Sequence, residues 1–222
     1  MHHVLLPGLD GTGLLFEALA RALPGPCSIV SYGGATTEAE HIACVPRPDE
    51  PFVLVAESFS GGIALQLGET PSLAAIVLVA TFMQNPSVLP KWVGWLLAPV
   101  AALVMTWTWV VRAMLFSGRA SKDELQRTRT ALAKVPRHAV TARLRLLFAR
   151  DTMALLAATK VPVLYIEALR DRLVATRSGR AMQAALPSME HVVLDAPHLV
   201  LQQHPVECAA IIERFLERIA KA

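Results

Sequence analysis

Cysteine is scarce in this chain, and the common patterns of metal binding and secretion are missing. Cys27, Cys44 and Cys208 are an odd, scattered set without the spacing of a metal site. They predict free thiols in a reducing compartment. The N-terminus lacks a basic stretch followed by a long apolar core, so we expect no signal peptide and a cytoplasmic location.

A glycine-rich turn follows the first apolar run but lacks the residues that bind nucleotides. Residues 6–13 are LPGLDGTG. No lysine follows, as a P-loop requires, and the glycines do not fit the dinucleotide fingerprint. Two uses remain: Asp10 caps the next helix, or the turn frees backbone N–H groups at the mouth of a pocket.

The composition fits one α/β domain with a sizeable core. The chain has 222 residues, 54% of them hydrophobic, and a formal net charge of +3. Its mean hydropathy of +0.44 is high. Apolar strands alternate with helices, as buried parallel strands do. We predict strands at residues 4–6, 28–32, 52–56, 74–80, 161–166 and 190–194.

Residues 53–65 have the layout of a nucleophile elbow, a sharp turn between a strand and a helix. An apolar run turns at AESFSGG and continues as an apolar helix. Such a turn needs small residues two before and two after the serine, because strand and helix approach closely there. Ser58 has Ala56 and Ser60 at these places, where the strict motif has glycine. Ser60 fits the same frame, but we prefer Ser58 because it follows the strand directly. An ordinary turn with incidental serines is the third interpretation.

From residue 83 to residue 150 the sequence predicts helices only. Residues 92–116 carry Arg112 as their only charge, and this run is long enough to span a membrane. A single span would separate strands that belong to one sheet, and Pro99 leaves two pieces too short for a hairpin of spans. We therefore expect helices packed over the sheet. The alternative is a face that rests on lipid, which the four tryptophans of this run would suit.

The second half of this helical segment is basic. Residues 112–150 contain ten lysines and arginines against two acidic residues, a net charge of +8. The purely structural interpretation is that these basic residues form a solvated helix face. The functional one is attraction of an anionic partner, such as a membrane surface, a carrier protein or a substrate. The aromatic residues are too few and too clustered for nucleic-acid binding.

Polar residues that could activate a serine follow the last two predicted strands. A serine hydroxyl needs a base to take its proton and an acid to orient that base. Asp171 and His198 each come just after a strand. The carboxyl ends of parallel strands meet at one edge of a sheet, so both side chains can meet Ser58 there. His204 is the alternative base and Glu167 the alternative acid, while Asp195 is expected to form a turn.

Four segments of the chain resemble the α/β-hydrolase family, in particular its small bacterial esterases. These segments are LPGLDGTG at 6–13, AESFSGG at 56–62, RDRLV at 170–174 and PHL at 197–199. The order serine, aspartate, histidine is also that of the family. The first predicted strand resembles the family's third strand. The resemblance implies six mostly parallel strands flanked by helices, a core at residues 1–82 and 151–222, and a helical cap inserted at 83–150.

The resemblance also implies a role for each site residue. Ser58 would be the nucleophile, His198 its base and Asp171 the acid that orients His198. The backbone N–H groups of Leu9 and Phe59 would form the oxyanion hole. Leu9 follows a Pro-Gly dipeptide where the family has His-Gly, which is a departure from its pattern.

The implied activity is hydrolysis of carboxylic ester or thioester bonds in apolar acyl substrates through an acyl-enzyme. No metal or organic cofactor is implied. An acyltransferase with the same triad and a hydrolase-fold protein without this activity are the alternatives. Beyond the small-molecule substrate, we expect no nucleic acid as partner. A peripheral contact with an anionic membrane surface or a carrier protein is a further expectation from the cap.

Overall fold

The computed structural model describes residues 1–85 and 90–221 of the chain. Six strands form one sheet: β1 His2–Leu6, β2 Cys27–Ile29, β3 Phe52–Glu57, β4 Leu73–Val79, β5 Val163–Ala168 and β6 Glu190–Leu194. Their order is β2-β1-β3-β4-β5-β6, and every neighbouring pair is parallel. This confirms the predicted fold class, an α/β sheet of six parallel strands flanked by helices.

The helices of the described chain lie on both faces of the sheet and above one edge of it. They are α1 Glu17–Ala22, α2 Glu38–Ala43, α3 Gly61–Gln66, α4 Lys91–Val104, α5 Thr108–Leu115, α6 Lys122–Ala133, α7 Arg137–Ala149, α8 Met153–Ala158, α9 Thr176–Ala185, α10 Val200–Gln203 and α11 Pro205–Ile219. Two short 3-10 helices, Leu14–Phe16 and Ser58–Ser60, precede α1 and α3.

The central strands are largely apolar because both of their faces are covered; Glu57 and Glu167, near the carboxyl ends of β3 and β5, are the charged exceptions. Every residue of β3 and β5 is buried. Successive side chains point to opposite faces, so Leu54 packs with α2, α3, α8 and α9. Its neighbours Val53 and Val55 pack with α1, α10 and α11. Two apolar layers therefore hold the sheet between two sets of helices.

Three strands differ from their predicted limits by two residues or more. The strand predicted at 4–6 is β1, which already begins at His2. The strand predicted at 28–32 is β2 and ends at Ile29, because the N–H of Tyr32 already donates to Gly11 in the glycine-rich turn. The strand predicted at 161–166 is β5 and begins after Pro162, which has no N–H for the ladder. It continues to Ala168, so Glu167 lies inside the strand and not after it.

Helices α4 to α7 lie between β4 and β5 in the chain. The two ends of this segment meet, since the N–H of Thr152 donates to the carbonyl of Met83 at 2.8 Å and Gln84 forms an isolated bridge with Asp151. The division into a core at 1–82 and 151–222 and a cap at 83–150 stays a prediction. Residues 86–89 of that cap and Ala222 lie outside the described residues.

Within residues 1–85 and 90–221 no single helix has the length and apolar composition to cross a membrane. Helices α4 and α5 meet these criteria only as a pair, and the pair is bent by 113° at the break between them.

Candidate active site

Ser58 occupies a strained turn at the carboxyl end of β3. Its φ angle is +50°, a left-handed conformation that residues other than glycine rarely adopt. The turn is tight because α3 starts directly behind it. A methyl group added at Gly61 would lie 2.3 Å from the Thr81 hydroxyl. This is the strand-to-helix geometry that the elbow motif predicts, with the serine hydroxyl at the edge of the sheet.

Ser60, the alternative nucleophile, has a different environment. Its hydroxyl is buried, donates to the carbonyl of Pro7 and pairs with the Tyr32 hydroxyl at 2.7 Å. These bonds tie the elbow to the turn after β1. Ser58 lines a cavity, whereas Ser60 is enclosed by its two partners.

The structure brings Ser58, His198 and Asp171 into one hydrogen-bonded chain. His198 Nε2 lies 2.9 Å from Ser58 Oγ, and His198 Nδ1 lies 2.6 Å from Asp171 Oδ2. A carboxylate only accepts hydrogen bonds, so Nδ1 carries the proton and Nε2 is free to accept one from the serine. The N–H groups of Leu173 and Val174 donate to Asp171 Oδ1 at 2.7 and 2.9 Å. The carboxylate is therefore held from both sides.

The surroundings of His198 raise its pKa above the ordinary value of 6.5. Burial acts in the opposite direction, because it disfavours the charged ring. The negative charge and hydrogen bond of Asp171 outweigh burial, and the charge of Glu57 adds to them. The site is thus built to stabilise a protonated imidazole.

The alternative base and acid have other partners. His204 lies at the start of α11, half exposed, with Nδ1 3.4 Å from Glu207. Glu167 accepts a hydrogen bond from His191 at 2.8 Å, and Asp195 pairs with Arg170 at 2.7 Å in the expected turn.

The prediction that Asp10 caps the next helix is wrong. Its carboxylate accepts from the N–H and the hydroxyl of Thr12, so it closes a turn, while Gly13 stands at the N-terminus of the 3-10 helix. The short side chain of an aspartate readily accepts a hydrogen bond from the backbone N–H two residues later in a turn.

A cavity of about 560 Å³ adjoins the triad. Ser58 and His198 line it together with Gly8, Leu9 and Glu57. Helices α4 to α7 supply much of its apolar wall, which includes Ala101, Val104, Met105, Val110, Val111, Met114, Leu115, Leu132, Leu144, Leu147 and Phe148. This volume and apolar lining are typical of a small-molecule site.

Two buried arginines, neither predicted as part of the site, bind the backbone next to the serine. Arg143 Nη1 donates to the carbonyl of Leu9 at 3.2 Å. Arg150 donates to the carbonyl of Phe59, and its guanidinium carbon lies 4.9 Å from the centre of the Phe59 ring. Leu9 and Phe59 are the two predicted oxyanion donors. Both residues are therefore held by guanidinium groups from α7 and its C-terminal end.

Arg143 is fully buried and joins three segments. It also donates to the carbonyls of Asp10 and Gly33, at 3.0 and 2.7 Å, and to His41 Nε2 at 3.1 Å. The basic excess of residues 112–150 is therefore not all on the surface. One signal was available for Arg143: it lies three residues after Val140, on the same face of α7, and both are buried.

Glu57, the residue before the serine, is also buried and was not predicted as part of the site. Burial raises its pKa to about 7, and Asp10 adds to this effect, while His198, Gln202 and the Gly8 amide oppose it. Gln202 Nε2 donates to Glu57 Oε2 at 3.2 Å, whereas Oε1 has no hydrogen-bond partner. A second titratable group thus lies beside His198.

The described residues hold no group of three or more histidine, cysteine, aspartate or glutamate side chains arranged to bind a metal ion. The chemistry visible at this edge of the sheet is that of the hydrogen-bonded serine, histidine and aspartate. The catalytic roles of Ser58, His198, Asp171, Leu9 and Phe59 stay predictions.

A serine on a strand-to-helix elbow, bonded to a histidine and an aspartate from later strand ends, defines the class of α/β folds with a nucleophile elbow. The model of the Alpha/beta hydrolase family matches residues 2–211. The chain belongs to that family, as its resemblance predicted.

Solved structures of several enzymes share this fold. An esterase from Exiguobacterium antarcticum is 14% identical with a TM-score of 0.80, covering 98% of this chain and 92% of its own. The enol-lactonase from Burkholderia xenovorans LB400 is 16% identical with a TM-score of 0.75, covering 97% and 91%. A membrane phospholipase A, described as a bacterial virulence factor, is 16% identical with a TM-score of 0.78, covering 100% and 80%. At these identities the likeness establishes the fold alone. No curated protein sequence matches the chain.

Replacing Arg143 tests how much this side chain of α7 contributes to the stability of the folded protein. Arg143→Met should lower the free energy of unfolding by about 3 kcal/mol or more, because it leaves several buried acceptors without a donor. Arg145→Met is the matched control, since Arg145 is only partly buried and stacks on Trp95 with 4.1 Å between guanidinium carbon and ring centre. Urea unfolding followed by circular dichroism measures both. Equal losses in the two variants would contradict a special role for Arg143.

Glu57 should make stability depend on pH. In the unfolded chain the pKa of this carboxyl is near its ordinary value of 4.5, and in the folded protein burial raises it to about 7. Between these values the folded state holds the extra proton, so the free energy of unfolding should fall as pH rises, by about 3 kcal/mol in all. Glu57→Gln removes this slope and should gain stability over wild type from pH 4.5 to pH 7. Thermal melts across that range measure it, and exposed Glu207→Gln is the control. A gain that does not grow with pH would contradict this account.

Proposed function

We propose that the protein is a serine hydrolase that cleaves carboxylic ester or thioester bonds of apolar acyl substrates. The observation that carries the proposal is the hydrogen-bonded chain of Ser58, His198 and Asp171 at the wall of an apolar cavity. Membership of the Alpha/beta hydrolase family supports it, since that fold presents this triad at the same edge of the sheet.

In this proposal His198 activates the serine. Its Nε2 takes the Ser58 proton as Oγ attacks the acyl carbon, and the tetrahedral intermediate collapses when His198 returns the proton to the departing alcohol or thiol. A water molecule then attacks the acyl-enzyme with the same histidine as base, which releases the acid and regenerates Ser58. Asp171 holds the ring in the required tautomer and stabilises its charged form.

The backbone N–H groups of Leu9 and Phe59 bind the oxyanion of the tetrahedral intermediates that form when the serine attacks the substrate and when water attacks the acyl-enzyme. Each donor in such a hole contributes about 3–4 kcal/mol to transition-state stabilisation in well-studied enzymes. Two features support these residues: Leu9 lines the cavity beside Ser58, and Phe59 directly follows the nucleophile. Arg143 and Arg150 position them by binding their carbonyl groups.

The cavity supports an apolar acyl group as the part of the substrate that is recognised. Its wall from α4, α5 and α7 is formed by aliphatic, methionine and phenylalanine side chains, which favour methylene groups over water. Each buried methylene contributes about 0.8 kcal/mol. A p-nitrophenyl ester series from acetate to palmitate should therefore show rates that rise with chain length until the cavity is full. Parallel reactions with added alcohols or thiols separate hydrolysis from acyl transfer.

The triad should behave as one catalytic unit. Ser58→Ala, His198→Ala and the double variant should lose activity to about the same extent, each about 10⁴-fold or more, because neither residue works without the other. Ester hydrolysis by the three variants measures this, and a fluorophosphonate probe should label Ser58 of the wild type. His204→Ala is the matched control and should stay active. More than about a tenth of the activity left in His198→Ala, or label on Ser60, would reject the assignment.

Activity should rise with pH as His198 loses its proton, because the free base is the catalytic form. The raised pKa of His198 places the midpoint above 6.5. Glu57→Gln should move it to lower pH, since a nearby negative charge no longer favours the protonated ring. The pH dependence of kcat/KM for a p-nitrophenyl ester measures both, with Glu207→Gln as the control. A rate that is flat between about pH 5 and 8 would argue against histidine as the base.

A further inference from the structure

Helices α4 and α5 and the turn between them expose an unusual number of large apolar side chains. We call the tryptophan face the set Trp92, Trp95, Leu96, Val100, Trp107 and Trp109. Each of these side chains is between 46% and 67% exposed. The α4 members recur at the spacing of one helix face. The rings of Trp107 and Trp109 lie 5.9 Å apart. Single exposed apolar residues are common, but so many large ones in one short segment indicate an interaction surface.

Helix α4 buries small residues and exposes large apolar ones, whereas a helix at a protein surface in water normally buries its large apolar side chains. Its buried residues are small, namely Gly94, Ala98 and Ala102, and they recur every four positions against α7. The contact is close, since a methyl group added at Gly94 would lie 2.7 Å from the Phe148 ring. Small residues at a helix contact with large apolar side chains outside are typical of helices surrounded by lipid.

Positive charge surrounds this face, and its own segment carries no negative charge. Residues 90–122 contain no aspartate or glutamate. Lys91 and Arg112 are exposed on α4 and α5 themselves. Arg129 lines a small surface cavity together with Thr106 of the turn between the two helices, and Arg145 stacks on Trp95. An apolar centre with a basic rim is complementary to a layer of anionic headgroups over acyl chains.

We propose that the tryptophan face docks on the surface of an anionic lipid bilayer. Indole rings suit the headgroup level, where one side of the ring meets water and the other meets acyl chains. Neither α4 nor α5 alone is long enough to cross a bilayer, and the bend of 113° keeps the pair from forming one straight span. Both features favour contact with the bilayer surface. A second copy of the chain fits less well, since a two-fold contact would set each basic rim against another without acids to pair with.

The chain carries its own reporter for this contact, because all four of its tryptophans belong to the face. The test uses the Ser58→Ala variant of the whole 222-residue chain, so that no lipid is consumed, and vesicles of phosphatidylcholine with or without phosphatidylglycerol. At 0.1 M salt we expect anionic vesicles to shift the tryptophan emission to shorter wavelength and to carry the protein down on sedimentation. Affinity should fall about tenfold or more when phosphatidylglycerol is omitted or when salt is raised to 0.5 M.

The double variant Trp92→Ser/Trp109→Ser removes the two most exposed members of the face, and Trp95 and Trp107 still report emission. Its affinity for anionic vesicles should be about tenfold or more weaker, while its melting temperature stays unchanged. Val206→Ser is the matched control, because Val206 is even more exposed, on α11 and outside the face. Three results would overturn the proposal: no vesicle binding at 0.1 M salt, unchanged binding by the double variant, or a lipid-free dimer that the double variant abolishes.

The docking does not depend on the proposed catalytic activity, since emission and sedimentation need no turnover. The substrate class that it implies, an acyl ester held in a lipid layer, does rest on the proposed function. The double variant should keep the wild-type rate on a dissolved acetate ester and lose about tenfold or more on a long-chain ester embedded in anionic vesicles. Equal rates of the wild type and the double variant on the embedded ester would overturn the inference that docking gives the enzyme access to a substrate held in the lipid layer. A protein that binds vesicles but hydrolyses no ester would refute the hydrolase proposal and leave the docking intact.

Discussion

The left-handed backbone at Ser58 is the constraint around which the site is built. Such a conformation costs about 1–3 kcal/mol and persists only where the surroundings hold it. Three neighbours do so here: Thr81 donates to the Ser58 carbonyl, Arg150 donates to the Phe59 carbonyl, and Ser60 donates to the Pro7 carbonyl. These contacts come from the end of β4, the end of α7 and the turn after β1. The turn that exposes the serine hydroxyl therefore also fixes the elements that surround it.

Much of the fold could be predicted from the sequence because local patterns specify it. The continuous apolar runs of β3 and β4 are buried on both faces, and such strands occur in parallel sheets covered by helices. Parallel strands bring their carboxyl ends together, so Asp171 and His198 could be placed beside Ser58 without any knowledge of distances. The strand limits were less certain, since β2 ends where Tyr32 leaves the sheet for the glycine-rich turn.

The parts that could not be predicted depend on contacts between distant segments. Arg143 binds the carbonyl of Leu9, which lies 134 residues earlier in the chain, and its charge gives no hint of a buried position. The elevated pKa of Glu57 arises from burial, which a sequence does not display. A basic stretch such as 112–150 favours a solvated or anion-binding surface, whereas the structure turns Arg143 and Arg150 inward. Net charge counts such residues without saying which way they point.

The same limit applies to the apolar run at 92–116, whose hydropathy does not tell which side of each helix faces the protein. In the structure the inner side of α4 and α5 lines the cavity beside Ser58 with Val104, Val110 and Met114. The four tryptophans are exposed and are not part of the cavity wall. The small residues of α4 let it approach α7. Arg143 on α7 and Arg150 directly after it bind the carbonyls of Leu9 and Phe59. Any contact made on the outer side of α4 and α5 therefore acts on helices that also shape the cavity. The outer surface and the triad are linked through α4 and α7, although they are far apart in the sequence.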